Sequence, residues 1–349
     1  MVYRPDVRQS INEITASEWD ALGGGRPFYR HAWFQFLEAA FPGEACAYIR
    51  LFEGETCVAA AVGFRRRAYY IPYVQHPLAK RAMQQLLRRC PLFSCENPLT
   101  ETSGLAFLPG YADAATAQAL LDTLRDAAVA HGAFFLGLDY LDADESALIK
   151  ATASDGVIIE MMPDTYLPIQ APTWEAFVAD LPYRQRKDVR RELRRAEAAG
   201  YRVESWEHFA VRSEELYSLV ANVHRQHGEP AVPVRKDVYA AAERFVPGSV
   251  ALVVRREERI VACGLILRDD DLLLPTLAGL EYSEAAVAYP LLAYGAVRHA
   301  IESGGRGILF GTTSYEIKQR LGCQLQPRAY AFSTRSRFLN VLLRWVLGR

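Results

Sequence analysis

Residues 53–64 read EGETCVAAAVGF, and residues 256–267 read REERIVACGLIL. Each stretch opens on charged residues and runs on through small and apolar ones. Each is also preceded by another apolar run, so the turns at Glu53-Gly54-Glu55 and Arg256-Glu257-Glu258 predict two antiparallel hairpins, the second over 250–267. A second pair of matches lies downstream in the same order. LRDAAVAHG at 124–132 and VRHAIESGG at 297–305 each close a helix and lead into an apolar strand. Two matches in one order predict a duplicated unit of helix, hairpin, strand, helix and strand. The expected fold class is α/β with mixed α+β sheets, in two similar domains, 1–168 and 169–349.

Working outward, Phe28, Trp33, Phe34, Leu37 and Phe41 recur at helical spacing before Pro42-Gly43. Helices are predicted over 114–131, 214–227 and 289–303, and strands over 133–138, 156–162, 272–280 and 307–310. The stretch 166–172 reads as a proline-containing connection, and 65–110 takes no clear assignment. The chain has 349 residues, is 50% hydrophobic and carries 40 Lys and Arg against 41 Asp and Glu. That balance excludes a mostly disordered chain and a globally polybasic nucleic-acid coat. No window reaches the roughly 18 apolar residues that span a bilayer, and MVYRPDVRQS has no secretory apolar core, so a cytoplasmic location is expected. Cys46, Cys57, Cys90, Cys95, Cys263 and Cys323 form no CxxC pair and read as reduced thiols, with no metal site expected.

A basic run, YRQRKDVRRELRRAEAAG, lies at 183–200. At about 100° per residue, Val189, Leu193 and Ala196 form one narrow apolar stripe. Arg184, Arg186, Lys187, Arg190, Arg191, Arg194 and Arg195 cover the opposite side, relieved by Asp188, Glu192 and Glu197. A helix over about 183–199 is therefore expected to open the second domain, with Gly200 at its C′ position.

Several chemical signatures are missing: GxxxxGK[ST], GxGxxG after a strand, and the GxSxG nucleophile elbow. Gly304-Gly305-Arg306-Gly307 follows a helix and precedes a strand, the reverse of a phosphate cradle, and reads as a helix stop. His224 and His227, three apart, share a helix face and suit substrate contact better than metal without nearby carboxylates. Asp269-Asp270-Asp271 reads as a solvated turn.

The stretch richest in chemistry is FGTTSYEIKQRLG, 310–322. A strand ends at Phe310, Gly311 lets the chain turn, and Thr312-Thr313-Ser314 is placed to cap a helix from Tyr315. Tyr315 and Lys318 then share a face near that helix's start, a phenol and an ammonium suited to polarising a carbonyl, while Glu316 faces elsewhere.

The order of elements, the basic helix and this ending resemble the Fem-type branch of the GNAT acyltransferase superfamily, which includes CelD-like proteins. Phe310, Gly311, Tyr315, Lys318 and Gly322 correspond to that branch's strand–FG–YxxK ending. The resemblance implies two tandem GNAT-like domains and transfer of an acyl or aminoacyl group to an amine. It implies that Lys318 contacts the reacting carbonyl or a donor phosphate, and that Asp139, ending the strand FFLGLDYL, lies near the acceptor amine. The stretch 281–289, EYSEAAVAY, departs from ordinary GNAT enzymes. It stands where those carry a glycine-rich pyrophosphate loop, and side chains here crowd a close approach to phosphate. The donor is thus acyl-CoA or an aminoacyl-tRNA, the latter meeting Arg186, Lys187, Arg190, Arg191 and Arg194 electrostatically. His224 and Glu316 are candidate substrate contacts.

Attack of a neutral amine on an ester or thioester needs an oxyanion donor, a proton acceptor and alignment, and implies no bound cofactor. The competing reading is a noncatalytic module that binds RNA or a glycan or peptide precursor. The tail at 338–347, with Arg335, Arg337, Arg344 and Arg349 around it, is too short to span a membrane but fits an anionic surface.

Overall fold

The protein was studied as a computed structural model that describes residues 2–23, 25–41, 43, 45–66, 77–152, 156–227 and 234–347. The chain divides into two units: residues 1–34, 43–163 and 327–349 form the first, and residues 35–42 and 164–326 the second.

In the first unit, β1 (Arg4–Arg8), α1 (Ala16–Gly23) and the start of α2 (His31–Ala40), whose residues from Gln35 on belong to the second, precede the hairpin β2 (Cys46–Glu53) and β3 (Thr56–Arg66). Next come α3 (Pro77–Arg89), β4 (Leu92–Asn97), the short β5 (Thr102–Ser103) and β6 (Leu105–Phe107), α4 (Ala114–Ala130), β7 (Phe135–Leu141), α5 (Ala143–Thr152) and β8 (Val157–Glu160). In the second unit, β9 (Asp164–Pro168), α6 (Trp174–Asp180), α7 (Tyr183–Ala198), β10 (Tyr201–Trp206), α8 (Ser213–Gln226) and α9 (Val238–Phe245) lead to the hairpin β11 (Val250–Arg256) and β12 (Arg259–Asp269). It continues with β13 (Leu272–Leu280), α10 (Ala285–Glu302), β14 (Gly307–Leu309), α11 (Tyr315–Arg320) and β15 (Gln324–Gln326). The chain then returns to the first unit as β16 (Ala329–Thr334) and α12 (Arg337–Leu347).

The two main sheets match strand for strand: β1-β2-β3-β4-β7-β16-β8 in the first unit and β10-β11-β12-β13-β14-β9-β15 in the second. The central pairs β4–β7 and β13–β14 are parallel, and the other neighbours in both orders are antiparallel. The hairpins lie where the repeats place them, and left-handed Gly54 and Glu257 occupy their turns. Asp113 accepts from the Ala115 and Thr116 amides and starts α4, and Gly132 at φ 68° follows its end.

The linear boundary at 168/169 does not describe this arrangement. Repeat order would put β9 beside β8 in the first sheet and β16 beside β15 in the second. Instead β9 lies between β14 and β15, and β16 between β7 and β8. Each sheet is completed by the strand that follows the other repeat. The connection expected at 166–172 therefore contains most of a central strand, with Asp164 and Thr165 fully buried. Pro168 ends β9, opposite Gly307.

Each unit has its own core. Leu120, Leu121 and Leu124 of α4 pack on Phe93, Leu136 and Leu138 in the first, and Leu291, Val297 and Ala300 of α10 pack on Leu252, Ile266 and Ile308 in the second. A cluster of rings, Trp19, Tyr29, Phe34 and Tyr48, joins α1 and α2 to β2, with centroids 5.1–5.6 Å apart. Burying a ring such as Phe34 contributes about 1.5–3 kcal/mol.

Candidate active site

In the second unit, β14 pairs with β13 at Leu272↔Gly307 and Leu273↔Ile308, while β13 runs on to Leu280. The register of β12 against β13 shifts between Cys263 and Leu265, and Leu277 takes φ 50°. A bulge of this kind leaves a residue outside the ladder and re-aims the backbone groups around it. The small residues Ala278-Gly279 beside Leu277 are the signal of this irregularity in the sequence. α8 lies flush on this strand: a Cβ on Gly279 would meet Val220 N at 2.6 Å and Cys263 Sγ at 2.8 Å.

Helix α10 begins at Ala285, earlier than the predicted 289. The AAVA run favours helix, and Pro290 forfeits only its own hydrogen bond near the helix start. The chain entering this helix carries Glu281 and Glu284. Glu284 accepts from the Tyr201 hydroxyl and from Arg256 Nη1 at 3.0 Å. The Tyr201 hydrogen bond, reinforced by Arg256, holds its carboxyl below the usual range, so it is ionised at neutral pH. Glu284 thus stands at the start of α10 as a carboxylate paired with Arg256.

Helix α11 carries the predicted Tyr315 and Lys318. Lys318 is 2% exposed, and its ammonium donates to the carbonyls of Phe310 at 2.6 Å and Gly311 at 2.8 Å. The Gly311 carbonyl also accepts from Thr165 Oγ1 of β9 at 2.6 Å. Lys318 thus clamps the bend at the end of β14. The expected side-chain cap does not form: Ser314 adopts a left-handed conformation with no capping bond. Tyr315 is half-buried, and Glu316 is exposed and paired with Arg320 at 3.1 Å. His224 is half-buried in the last turn of α8, and His227 Nε2 lies 3.3 Å from the Tyr282 hydroxyl before α10. Among the described residues, no group of three His, Cys, Asp or Glu side chains is placed to hold a metal.

The basic helix α7 docks as its spacing predicts, with Val189 and Ala196 buried and Leu193 against the core. Glu192 does more than relieve the cationic face. It turns inward, accepting from Tyr294 of α10 at 2.6 Å and from Arg320 of α11 at 2.7 Å. Burial, and then the Glu192 carboxylate, push the Tyr294 phenol up. Lys187, Arg190, Arg191 and Arg194 are exposed, with Arg191 held by Asp188 at 2.7 Å. Arg186 is half-buried and donates to the Ala179 carbonyl at 2.6 Å, so its guanidinium fastens α6 to α7.

Asp139 lies in the first unit, on β7, and Lys318 in the second, on α11. Near the end of β7 the register against β16 shifts, so that Asp139 and Tyr140 stand opposite Tyr330, with Tyr140 at φ 56°. Asp139 is 1% exposed and accepts from Ser94 Oγ at 2.6 Å. Ser94 and Glu96 alternate along β4 on the side of the sheet away from Phe93 and Cys95, and Glu96 binds Arg66 Nε at 2.8 Å. The Tyr330 phenol crosses Gly137, where a Cβ would lie 2.5 Å from its oxygen. Burial, together with the charges of Asp139 and Glu96, raises that phenol well above its ordinary value. Ser94 on β4 and Tyr330 on β16 reach Asp139 from distant strands, so no local signal in the sequence joins them to it.

The sequence profile of the FemAB-like family, described as peptidoglycan biosynthesis/recognition, matches residues 10–327. The chain belongs to the FemAB-like family. None of the curated proteins compared by sequence matches it. Among solved structures, FemX is similar at a TM-score of 0.59 and 13% identity, over 99% of this chain and 100% of that one. The C-terminal domain of a lysylphosphatidylglycerol synthetase from Agrobacterium fabrum follows at 0.58 and 9%, over 96% and 98%. A tandem GNAT protein from the clavulanic acid biosynthesis pathway gives 0.56 and 12%, over 95% and 99%. At these identities the likeness is one of fold. This FemAB-like chain accordingly has the tandem mixed α/β architecture expected from its sequence.

Proposed function

We propose that this FemAB-like protein transfers an aminoacyl group from an aminoacyl-tRNA to an amine of a peptide precursor of the peptidoglycan type. The observation that carries the reading is α7: Glu192 is drawn inward, so the outward face concentrates Lys187, Arg190, Arg191 and Arg194. Such a face suits a phosphate backbone. The stretch 281–289, without a glycine, disfavours acyl-CoA as the donor. The amine nitrogen attacks the ester carbonyl, the C–O bond breaks, and the ribose hydroxyl leaves with a proton. The bulged backbone near Leu277 is the proposed oxyanion donor. Lys318 is a positioning residue that holds the bend at Phe310-Gly311, with Tyr315 on the same short helix.

The test is binding of charged tRNA and of acetyl-CoA across a salt series. With charged tRNA, the triple variant Lys187→Glu, Arg190→Glu, Arg194→Glu should lower the log–log salt slope by about three. Saturable acetyl-CoA turnover, unchanged in that variant, would refute the donor assignment. Lys318→Ala that keeps ligand binding but loses transfer supports an enzyme. Unaltered function in that variant favours the noncatalytic module.

A further inference from the structure

Helix α12 presents an apolar face outward. Asn340 is buried, accepting from the Thr334 amide at 2.6 Å and hydroxyl at 2.8 Å and donating to the Thr334 carbonyl at 3.0 Å. These bonds fix the rotation of the helix on β16. At about 100° per residue, Phe338, Val341 and Trp345 then fall within a sector of about 60° on the side away from Asn340. Their exposures are 78%, 56% and 65%. Arg335 donates to the Val129 carbonyl at 3.0 Å, which brings the start of α12 beside the end of α4, where Val129 is itself 51% exposed.

We infer that α12 is an in-plane docking element for an anionic lipid bilayer. Charge selects this occupant. No Asp or Glu occurs from Ile317 to Arg349, whereas Arg335 lies just before the helix and Arg344 next to Trp345 within it. An isologous contact with a second copy would set arginine against arginine. At about 1.5 Å per residue the helix is about 16 Å long, half of a hydrocarbon core of about 30 Å, so it lies along the surface. Phenylalanine and tryptophan on one side with arginine beside them is the side-chain set that settles at the headgroup boundary. A surface-held protein would meet acceptors carried on lipid, a consequence independent of which donor it uses.

The experiment is co-sedimentation of the full chain with vesicles of phosphatidylcholine alone or with about one third phosphatidylglycerol. Pelleting is expected with the anionic vesicles and to fall at least tenfold in Phe338→Ser/Trp345→Ser. Arg344→Glu, which leaves the apolar stripe intact, should lower it more than fivefold, since each surface arginine contributes about fivefold. Unchanged melting temperatures show that both variants are folded. Equal pelleting of parent and both variants, no pelleting at all, or a solution dimer that the double variant dissolves would each overturn the proposal.

Discussion

The two units share one strand order but differ in what their sheets carry. Beside the parallel pair β4–β7, the first unit buries ionic and polar groups: Arg66, Glu96, Ser94 and Asp139. Beside β13–β14, the second closes with a three-residue strand, a glycine bend and Lys318 bonded to backbone carbonyls. One of its side-chain ion pairs, Glu192 with Arg320, lies at the level of the helices and is partly solvated. The first sheet thus buries a paired Arg66 and Glu96, whereas the second buries Asp164 in β9 and places the Glu192–Arg320 pair among its helices. Duplication preserves backbone pairing, which many side chains satisfy, and leaves the faces of each sheet to diverge.

The sharpest test of that contrast sets the two ion pairs against each other. Arg66→Ala strands Glu96 in a dry site and should cost about 3–5 kcal/mol in urea denaturation. Arg320→Ala, in a pair where both partners keep contact with solvent, should cost less than about 1 kcal/mol. Equal costs would erase the distinction.

The hairpins offer a second comparison. In the aligned repeats Ala61 matches Gly264 and Gly63 matches Ile266. A Cβ on Gly63 would lie 2.2 Å from Phe93 Cε1, whereas one on Gly264 meets nothing nearer than the Thr276 carbonyl at 3.9 Å. Gly63→Ala should therefore destabilise by about 1–3 kcal/mol, and Gly264→Ala should be neutral or stabilise by up to about 1 kcal/mol, read as shifts in urea midpoint.

The smallest effect is a pH dependence. Burial lowers the pKa of His131, with help from Arg65, and burial with Arg268 lowers that of His299 against the opposing Glu302 and Glu207. The unfolded chain then takes up these protons first, at about pH 6.5. Their contribution to stability is present above that pH and is lost as pH falls through the lower folded values. Stability should decline from pH 7 to 5, and less steeply in His299→Gln or His131→Gln. A decline that neither variant softens would assign it to carboxylates instead.

How far the sequence reaches differs with the range of the interaction. Hairpin turns, the stripe of α7 and the stop at Gly132 depend on residues a few places apart, so spacing and turn chemistry revealed them. Lys318 was singled out through its motif and Asp139 through the family resemblance. Their surroundings were not: the clamp on Phe310-Gly311, Ser94 against Asp139, and the inward turn of Glu192 join positions far apart in the chain.

By itself the sequence determined a duplicated α/β chain with a cationic helix and a strand–FG–YxxK ending, because periodicity and local backbone preference are written in consecutive residues. Tertiary structure alone decided that β9 and β16 exchange places, because a short apolar strand pairs with any open sheet edge and only the assembled sheets offer one. It also decided which charges turn inward, since burial is a property of neighbours brought together by folding.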